Sequence, residues 1–492
     1  MAVAWGTPGG RWVLTAAVLG SGIVFLDTTV VNVALPTIAD DLDTGLAGLQ
    51  WTINGYLLTL AAFILLGGAL GDRYGRRRVF VVGVVWFAAA SALCGLAPSI
   101  EVLVAARALQ GVGGALLTPG SLALLQASFL PEDRSRAIGA WSGLGGVAAA
   151  LGPFVGGWLV DAVSWRAVFL INLPVAATVV AVAVRHVPES RDPAAAPGLD
   201  VAGAVLCALG LAGVTWALIE GPAGGMDPAI VAAAVGGVAC LVAFLLVESR
   251  SRHPMLPLEL FSSHQFTAAN VVTFAVYAAL GSATFLLVLQ LQTVLGYSPL
   301  EAGLALFPVT LLMLGLSARS GALATRIGPR LQLTAGPLLA GAGLLVLSRV
   351  DAGSSWTTAV LPGAVLLGLG LATTVAPLTS TVLAAASERH AGVASGVNNA
   401  VARAAGLVAV AVLPAVAGIG GDDAGDPAAF SDGFRVALTV AAALCAVGGA
   451  LGWGLVRNEP LLAATAEAEA AGVPVEEPHT CGIDAPPLRR AS

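Results

Sequence analysis

The sequence predicts an all-α integral membrane protein with two six-helix bundles and two inserted helices, fourteen transmembrane helices in total. Three observations predict this fold. The 492 residues are 57% hydrophobic and only 11% charged, with a mean hydropathy of +0.88, whereas a soluble surface carries roughly a quarter to a third charged residues. Apolar windows of ~20 residues, the length of a membrane-spanning helix, recur along the chain. A charged, glycine-bearing segment between two such windows also occurs twice.

Each apolar window is expected to form one transmembrane helix. The interior of a bilayer offers no water to unpaired backbone groups, so a span is either a helix or a strand of a closed barrel, and windows of this length without alternating polarity favour helices. The windows are 12–34, 49–70, 79–98, 102–126, 137–160, 166–185, 199–220, 228–247, 266–290, 301–319, 331–348, 357–384, 391–418 and 435–456.

The arginines predict the orientation. The chain has no lysine, and cytoplasmic loops retain positive charge. With the amino terminus inside, most arginines outside the spans fall on the cytoplasmic side, and only Arg166, Arg349 and Arg435 fall outside. This distribution fits an even number of helices with both termini in the cytoplasm. The lysine-free, arginine-rich usage suggests a GC-rich bacterial genome, which places this multi-pass protein in a bacterial plasma membrane.

The order of windows and polar segments predicts the domain organisation. A cytoplasmic amino terminus (1–11) precedes an amino-terminal six-helix bundle (12–185), and a linker region with two inserted helices (186–265) leads to a carboxy-terminal six-helix bundle (266–457). The segments 186–198 and 248–265 are short, polar and proline-bearing, as linkers are. The Ala/Glu/Pro-rich residues 458–492 are expected to be a disordered cytoplasmic tail.

The repeated charged segment reads GALGDRYGRRR from Gly68 and GALATRIGPR from Gly321. The glycines permit close helix approach and a turn, while the aspartate can cap a helix or pair across the cytoplasmic interface between the halves. A positive-inside anchor would explain the arginines alone, but not the order of residues or the second copy. We therefore expect a cytoplasmic gate formed by Gly68, Gly71, Asp72, Arg73, Gly75, Arg76, Arg77, Arg326, Gly328 and Arg330.

Two charged residues lie well inside apolar windows, Asp27 in LDTTVVNVALP and Arg107 in LVAARALQGVGGALLTP. A charge near the centre of a bilayer costs about 2.5–3.5 kcal/mol on insertion scales, so such residues usually face the bundle interior and serve a function. A buried carboxylate beside a guanidinium can bind and release a proton as water access changes sides. The alternative is that the two residues merely pair with each other or with backbone carbonyls.

The fifth window contains GLGGVAAALGPFVGG. At helical spacing, Gly145, Ala149, Gly152 and Gly156 form a stripe of small residues on which another helix can pack closely, and Pro153 permits a bend. Such stripes are common packing devices in membranes, so the stripe by itself does not establish a function.

Several polar or aromatic side chains inside the windows are candidates for the wall of a substrate cavity. Arg403 is the other buried basic residue, with Asn398 and Asn399 one turn earlier, and a packing role for it is equally open. The candidates are Asn32, Trp51, Asn54, Tyr56, Gln110, Gln290, Gln292, Asn398, Asn399 and Arg403.

The sequence predicts neither a cofactor nor a metal site. It contains no phosphate-cradling loop and no cluster of Cys and His with ligand spacing, so it supports neither ATP hydrolysis nor metal catalysis. Four of the five cysteines lie inside windows and Cys481 lies in the tail, which makes a disulfide framework improbable. We expect no enzymatic activity and no nucleic-acid partner.

These motifs closely resemble the major facilitator superfamily, specifically its fourteen-spanning drug:proton antiporter branch, over about residues 12–457. GALGDRYGRRR is similar to the superfamily's signature between the second and third helices, and LDTTVVNVALP to the branch's first-helix signature, with Asp27 at its acidic position. The resemblance implicates Arg107 in proton transfer. It also implies that the fifth helix carries the antiporter signature associated with export, here Gly143, Gly152, Pro153, Gly156 and Gly157.

The expected function is proton-coupled export of amphipathic drugs or antibiotics by a monomer whose halves rock around a midplane cavity. The energy source would be the proton gradient. Proton-coupled uptake of a small nutrient is the nearest alternative, but it needs a more polar cavity than these windows offer. A membrane receptor or enzyme without transport would need a buried cluster of His, Asp and Glu or a sizeable soluble domain.

Overall fold

The computed structural model describes residues 3–192, 198–224, 227–251, 253–386, 391–419, 426–459 and 461–463. Over these residues the chain is helical, and its only extended pairing is an isolated bridge between Val3 and Phe129. Thirteen of the described helices are long and apolar enough to cross a membrane. The all-α membrane fold predicted from the sequence is therefore confirmed.

The first half contains helices α1 to α6. Polar residues fix several of their ends: Thr7 caps α1 by accepting a hydrogen bond from the backbone N–H of Gly10, as N-cap residues do. A single turn at Ile171 interrupts α6. The bounds are α1 Pro8–Asp41, α2 Leu46–Tyr74, α3 Arg76–Gly95, α4 Ile100–Ser128, α5 Pro131–Ala162 and α6 Ala167–His186.

The inserted pair is α7, Val201–Gly224, and α8, Pro228–Arg250. The second half then contains α9 to α14, of which three are irregular: α9 ends in a π-helical turn, α10 breaks after Ala305, and α12 begins with a π-helical turn. The bounds are α9 His264–Val294, α10 Pro299–Ile327, α11 Arg330–Leu347, α12 Trp356–Ala384, α13 Ala391–Val416 and α14 Pro427–Leu455.

Each of the apolar windows read from the sequence lies on one of these helices. The window 137–160 falls in α5, a 32-residue helix, and each of the others overlaps one of the thirteen candidate spans. Cys481 and residues 464–492, which form most of the predicted disordered tail, lie outside the described residues.

The helices of the first half approach one another through glycines. A Cβ atom built on Gly67 would collide with the backbone of Ala115, and one on Gly113 would lie 2.7 Å from the backbone nitrogen of Phe87. Small residues of this kind let membrane helices pack closely. The sequence assigned close approach to Gly68 and Gly71, which was wrong: their nearest neighbours would lie at 3.6 Å and 3.9 Å, ordinary contact distances.

The inserted helices form a hairpin on the outside of the bundle. They meet at Gly213 and Gly237, where added Cβ atoms would press on the facing backbone. Helix α7 packs on α2 and α13, whereas α8 packs chiefly on α7 and leaves most of its side chains exposed. The indole nitrogen of Trp51 on α2 donates a hydrogen bond to Glu220 on α7, at 3.1 Å.

The two halves contact each other along two seams, α2 with α13 and α5 with α10. We call the end of the bundle that carries the turns at Gly75 and Gly328 the arginine-rich end, and the other end the opposite end. The α5–α10 seam is tight at the opposite end, where the backbone N–H of Leu300 donates to Asp161 at 3.1 Å. Toward the arginine-rich end α5 contacts little of α10.

Candidate functional site

Asp27 and Arg107 form an ion pair in the centre of the first half. The Arg107 Nη1 atom donates to Asp27 Oδ2 at 2.6 Å, and the two residues are 1% and 0% exposed, respectively. Asp27 lies in the middle of α1 and Arg107 in the first half of α4. The structure therefore brings together the two intramembrane charges that the sequence singled out.

The guanidinium of Arg107 has further partners on α2 and α6. Its Nε donates to the carbonyl oxygen of Thr52 at 3.0 Å, and its Cζ lies 4.3 Å from the centroid of the Tyr56 ring and 5.7 Å from that of Phe169. Cations are attracted to aromatic faces at such distances. These contacts hold Arg107 in place independently of the charge on Asp27.

Three uncharged polar residues surround the Asp27 carboxylate. Gln110 donates to Asp27 Oδ1 at 2.8 Å and to the Ser91 hydroxyl at 2.7 Å. Asn172 on α6 also donates to Asp27 Oδ1, at 3.1 Å, and to Ser91, at 3.2 Å. Gln110 was expected in the cavity wall but belongs to this network instead. The sequence reading missed Ser91 and Asn172, although Asn172 is a polar residue inside an apolar window, which is a usable signal.

A cavity of about 220 Å³ lies between the two halves, beside the ion pair. Helices α1, α2 and α4 line it on one side, and α9 and α13 line it on the other. Asn32, Tyr56 and Arg403 were predicted from the sequence and do line it, and Arg107 forms part of the wall. The lining residues are Thr28, Thr29, Val31, Asn32, Ile53, Tyr56, Leu57, Arg107, Tyr277, Leu280, Gly281, Thr284, Ala402, Arg403, Gly406 and Val410.

The remaining cavity candidates lie elsewhere, because their side chains point into helix contacts. In the first half, Trp51 reaches α7, and Asn54 is fully buried with no partner for either side-chain atom in the described residues. In the second half, Gln290 donates to the carbonyl of Val350, and Asn398 donates to Asn270 and Thr273 on α9, so both side chains lie in contacts between helices. Asn399 donates to its own helix at Ser395.

Gln292 connects the two halves at the opposite end. Its amide donates to the carbonyl of Val33 on α1 at 2.9 Å. Gln50 does the same between α2 and α13, donating to the carbonyl of Val410 at 2.7 Å. Together with the α5–α10 seam, these hydrogen bonds close the cavity toward the opposite end.

The small-residue stripe of α5 packs on α1, a partner that the sequence did not name. Added Cβ atoms on Gly152 and Gly156 would collide with Thr29 and Val30, respectively. Two neighbours of the stripe face α10 instead: Gly157 abuts Leu300, and the carbonyl of Pro153 abuts Gly303. Gly143 lies on the same helix. The motif therefore touches the Asp27 helix on one face and the second half on the other.

The first charged segment forms a turn that is held by the chain after α6. Gly75 has φ 116°, which favours glycine. Glu189 accepts hydrogen bonds from the backbone N–H groups of Arg77 and Arg78, at 3.1 Å and 3.2 Å, and so caps α3. Asp72 pairs with Arg76 at 2.8 Å, within the same segment.

The second segment repeats this arrangement with different residues. Gly328 has φ 85°, and Asn458, which follows α14, accepts a hydrogen bond from the backbone N–H of Arg330 at 3.0 Å. Arg330 also donates to the carbonyl of Trp453 at 2.7 Å. Arg326 is exposed at the end of α10.

Within the described residues of this conformation, Asp72 pairs with Arg76 and not across the interface between the halves, which was one of the two roles that the sequence offered for it. Each charged segment is held by contacts within its own half: Asp72 binds Arg76, the backbone N–H of Arg76 donates to the carbonyl of Ser190, and Arg73 stacks on its neighbour Tyr74. The physical reason is that the linkers after α6 and α14 supply nearer acceptors for the N–H groups at the starts of α3 and α11. These groups need partners, since a helix start leaves them unpaired.

The arrangement places a buried carboxylate behind the guanidinium that forms part of the cavity wall. Among the described residues no group of three or more His, Cys, Asp or Glu side chains could hold a metal ion. The chemistry that this geometry supports is the binding of a proton at Asp27 and of a small molecule in the cavity next to it.

Comparisons with known proteins show what the chain is similar to. Residues 17–410 match the family model described as Major Facilitator Superfamily. The chain is 38% identical to the tetracenomycin C resistance and export protein of Streptomyces glaucescens, over 83% of this chain and 76% of that one. It is 39% identical to a methylenomycin A resistance protein of Streptomyces coelicolor, over 82% and 85%. A solved POT family transporter superposes with a TM-score of 0.67 at 14% identity, over 90% and 96%, which indicates a shared fold.

Proposed function

The chain belongs to the Major Facilitator Superfamily, and we propose that it exports amphipathic drugs or antibiotics across the bacterial plasma membrane in exchange for protons. Relatives at 38% and 39% identity are named for antibiotic resistance and export, which supports the export of such compounds. The observation that carries the proton coupling is the Asp27–Arg107 pair, fully buried and in contact with the cavity wall.

The cycle begins in the conformation described above, with the halves closed at the opposite end. A substrate enters the cavity while Asp27 is ionised and paired with Arg107. The halves then rock so that the cavity opens at the opposite end, the substrate leaves, and Asp27 takes a proton. Protonation removes the ionic attraction to Arg107, whose remaining contacts with Thr52 and Tyr56 hold it in place. The halves return, and Asp27 releases the proton on the other side.

The direction of transport follows from the proton gradient and from the orientation of the chain. The excess of arginines supports a cytoplasmic location for the arginine-rich end, because cytoplasmic loops retain positive charge. Each proton that moves inward across the full membrane potential releases about 2.3 kcal/mol per 100 mV. The cycle uses the proton gradient and needs no bound cofactor. One copy of the chain is sufficient, since both halves of the site come from one polypeptide.

Two alternatives remain distinct from this proposal. If Asp27 and Arg107 only stabilised the bundle, a charge-free pair would support transport equally well; the contact of Arg107 with the cavity favours coupling instead. Proton-coupled nutrient uptake would need more polar surface than this cavity wall offers, because most of the surface that the lining residues expose to the cavity is apolar. The export-associated motif also contacts both halves, through Gly152 on the Asp27 helix and Gly157 on the second half. A rocking movement of the halves would therefore change the contacts of this motif.

The experiment that tests the proposal measures proton-driven transport in inside-out vesicles. An imposed gradient, acid inside, should drive the accumulation of an amphipathic dye, with simultaneous proton movement out of the lumen. Asp27→Asn should remove the gradient-driven accumulation while the protein remains in the membrane. Asp432→Asn, a change at an exposed carboxylate of α14, is the matched control and should behave like wild type. Unimpaired gradient-driven accumulation by Asp27→Asn would refute the coupling role.

A further inference from the structure

Arg403 brings a positive charge to the cavity from the second half. It lies on α13, on the same helix face as Gly406 and Val410, and is half-buried. Within the described residues, its guanidinium donates no hydrogen bond and has no carboxylate within 4.0 Å. An arginine in such a position is costly unless an anion or a polar group accompanies it.

The rest of the cavity wall contains nothing that neutralises this charge. The sixteen lining residues include two arginines and no carboxylate. Asp27 compensates Arg107, with which it forms the ion pair, and is itself fully buried behind it. The empty cavity with Asp27 ionised therefore carries a net charge of one positive unit, located at Arg403.

We infer that the transported compound is an amphipathic anion whose acidic group, a carboxylate, a sulfonate or an ionised phenol, pairs with Arg403. The inference rests on the proposed function and names the substrate class of the same cavity. A planar guanidinium binds a carboxylate with two parallel hydrogen bonds. A sulfonate offers the same pair of oxygens, whereas an ionised phenol accepts through its single oxygen. The apolar part of the compound would lie against Leu57, Tyr277 and Leu280, which line the wall around Arg403.

The charge balance of the transport cycle supports the same substrate class. With a monovalent anion bound and Asp27 ionised, the site is neutral, so opening it toward the positive outer face of the membrane does no electrical work. With an uncharged substrate the same step would carry the Arg403 charge outward against the potential, and with a cation it would carry two charges. The return step, with Asp27 protonated and the cavity empty, moves positive charge inward, which the potential favours.

A matched pair of fluorescent probes tests the inference by binding. Anilinonaphthalene sulfonate is an anion, and phenylnaphthylamine is the same skeleton without the sulfonate. With the protein in lipid nanodiscs, the wild type should bind the sulfonate at least about tenfold more tightly than the uncharged probe, the contribution expected of a charged hydrogen bond. Arg403→Gln should remove that difference and leave phenylnaphthylamine binding unchanged. Arg403→Lys should restore part of it. Arg435→Gln, at an exposed arginine of α14, is the charge-matched control.

Transport in proteoliposomes separates this inference from the proposed function. For one proton exchanged per cycle, an anion moves two charges, an uncharged compound one and a monovalent cation none, so a membrane potential alone should accelerate sulfonate export most and ethidium export least. If ethidium is preferred, or if Arg403→Gln lowers the export of all three dyes equally, the anion inference is wrong. If no dye is exported and no protons move, the proposed function itself fails.

Discussion

Gly157 holds the two halves together at the opposite end, and enlarging it should change which way the cavity opens. A Cβ atom on Gly157 would lie 2.5 Å from Leu300 Cα and 2.6 Å from the carbonyl oxygen of Pro299, whereas carbon atoms in favourable contact are ~3.5–4.0 Å apart. Both neighbours are backbone atoms at the start of α10. Gly157→Ala therefore requires α5 and α10 to separate.

The size of the expected shift depends on the free energy that the collision costs and on which conformation bears that cost. Overpacking of this kind costs about 1–3 kcal/mol, and only the conformation in which α5 and α10 touch at this end bears the cost. A difference of that size changes the ratio of two conformations about 5–150-fold. Gly157→Ala should accordingly shift the protein toward the conformation that is open at the opposite end.

The shift can be measured as a distance between two spin labels, one on each side of the seam. Val163, after α5, and Leu304, in α10, are 64% and 41% exposed and can be changed to cysteine in a background whose five native cysteines are replaced. The longer distance should be more populated in Gly157→Ala. Gly139→Ala on the same helix, where an added Cβ meets nothing within 4 Å, is the control. If the distance distribution of Gly157→Ala matches that of this control, the reasoning is refuted.

Three further changes test other parts of the structure. Gly75→Ala should lower the free energy of unfolding by about 1–3 kcal/mol, because a residue with a side chain is strained at φ 116°. The added Cβ would also lie 2.8 Å from Glu189 Oε1. A melting temperature equal to that of Gly139→Ala would contradict this. Asn172→Leu removes the hydrogen bonds of Asn172 to Asp27 and to Ser91. Gradient-driven export should therefore fall about tenfold or more, with the same amount of protein in the membrane. Unchanged export would exclude Asn172 from the site. Trp51→Phe should cost about 0.5–1.5 kcal/mol of stability through the lost hydrogen bond to Glu220 and leave export within about twofold; a large loss of export would place Trp51 in the substrate path.

Nearly all of the helices, but only part of the site, could be predicted from the sequence. The helices were predictable because a bilayer forces the backbone to satisfy its own hydrogen bonds over ~20 residues, so hydropathy alone locates them. Asp27 and Arg107 were predictable because a charge inside such a window has few tolerated environments. The stripe on α5 was predictable because helical spacing puts Gly152 and Gly156 on one face.

The cavity wall was harder to predict because it depends on how each helix is rotated about its axis. In a soluble bundle the polar face of a helix reveals that rotation, but these helices are apolar nearly all round. Nothing in the local sequence distinguishes Asn32, which lines the cavity, from Asn398, which faces α9. The gate residues show the same limit, since the acceptors that hold Arg77 and Arg330, Glu189 and Asn458, come from distant linkers.

The sequence by itself determined that this chain lies in a membrane as helices and that charged turns recur in both halves. It also determined that one acid and one arginine lie within the membrane-spanning helices of the first half. Tertiary structure alone decided that Asp27 and Arg107 meet, that Ser91 and Asn172 complete their surroundings, and that Arg403 faces the cavity with no partner among the residues that the structure describes. The division has a physical cause. Burial in lipid is a property of a segment and its composition, whereas pairing is a property of the relative rotation and depth of helices that are far apart along the chain.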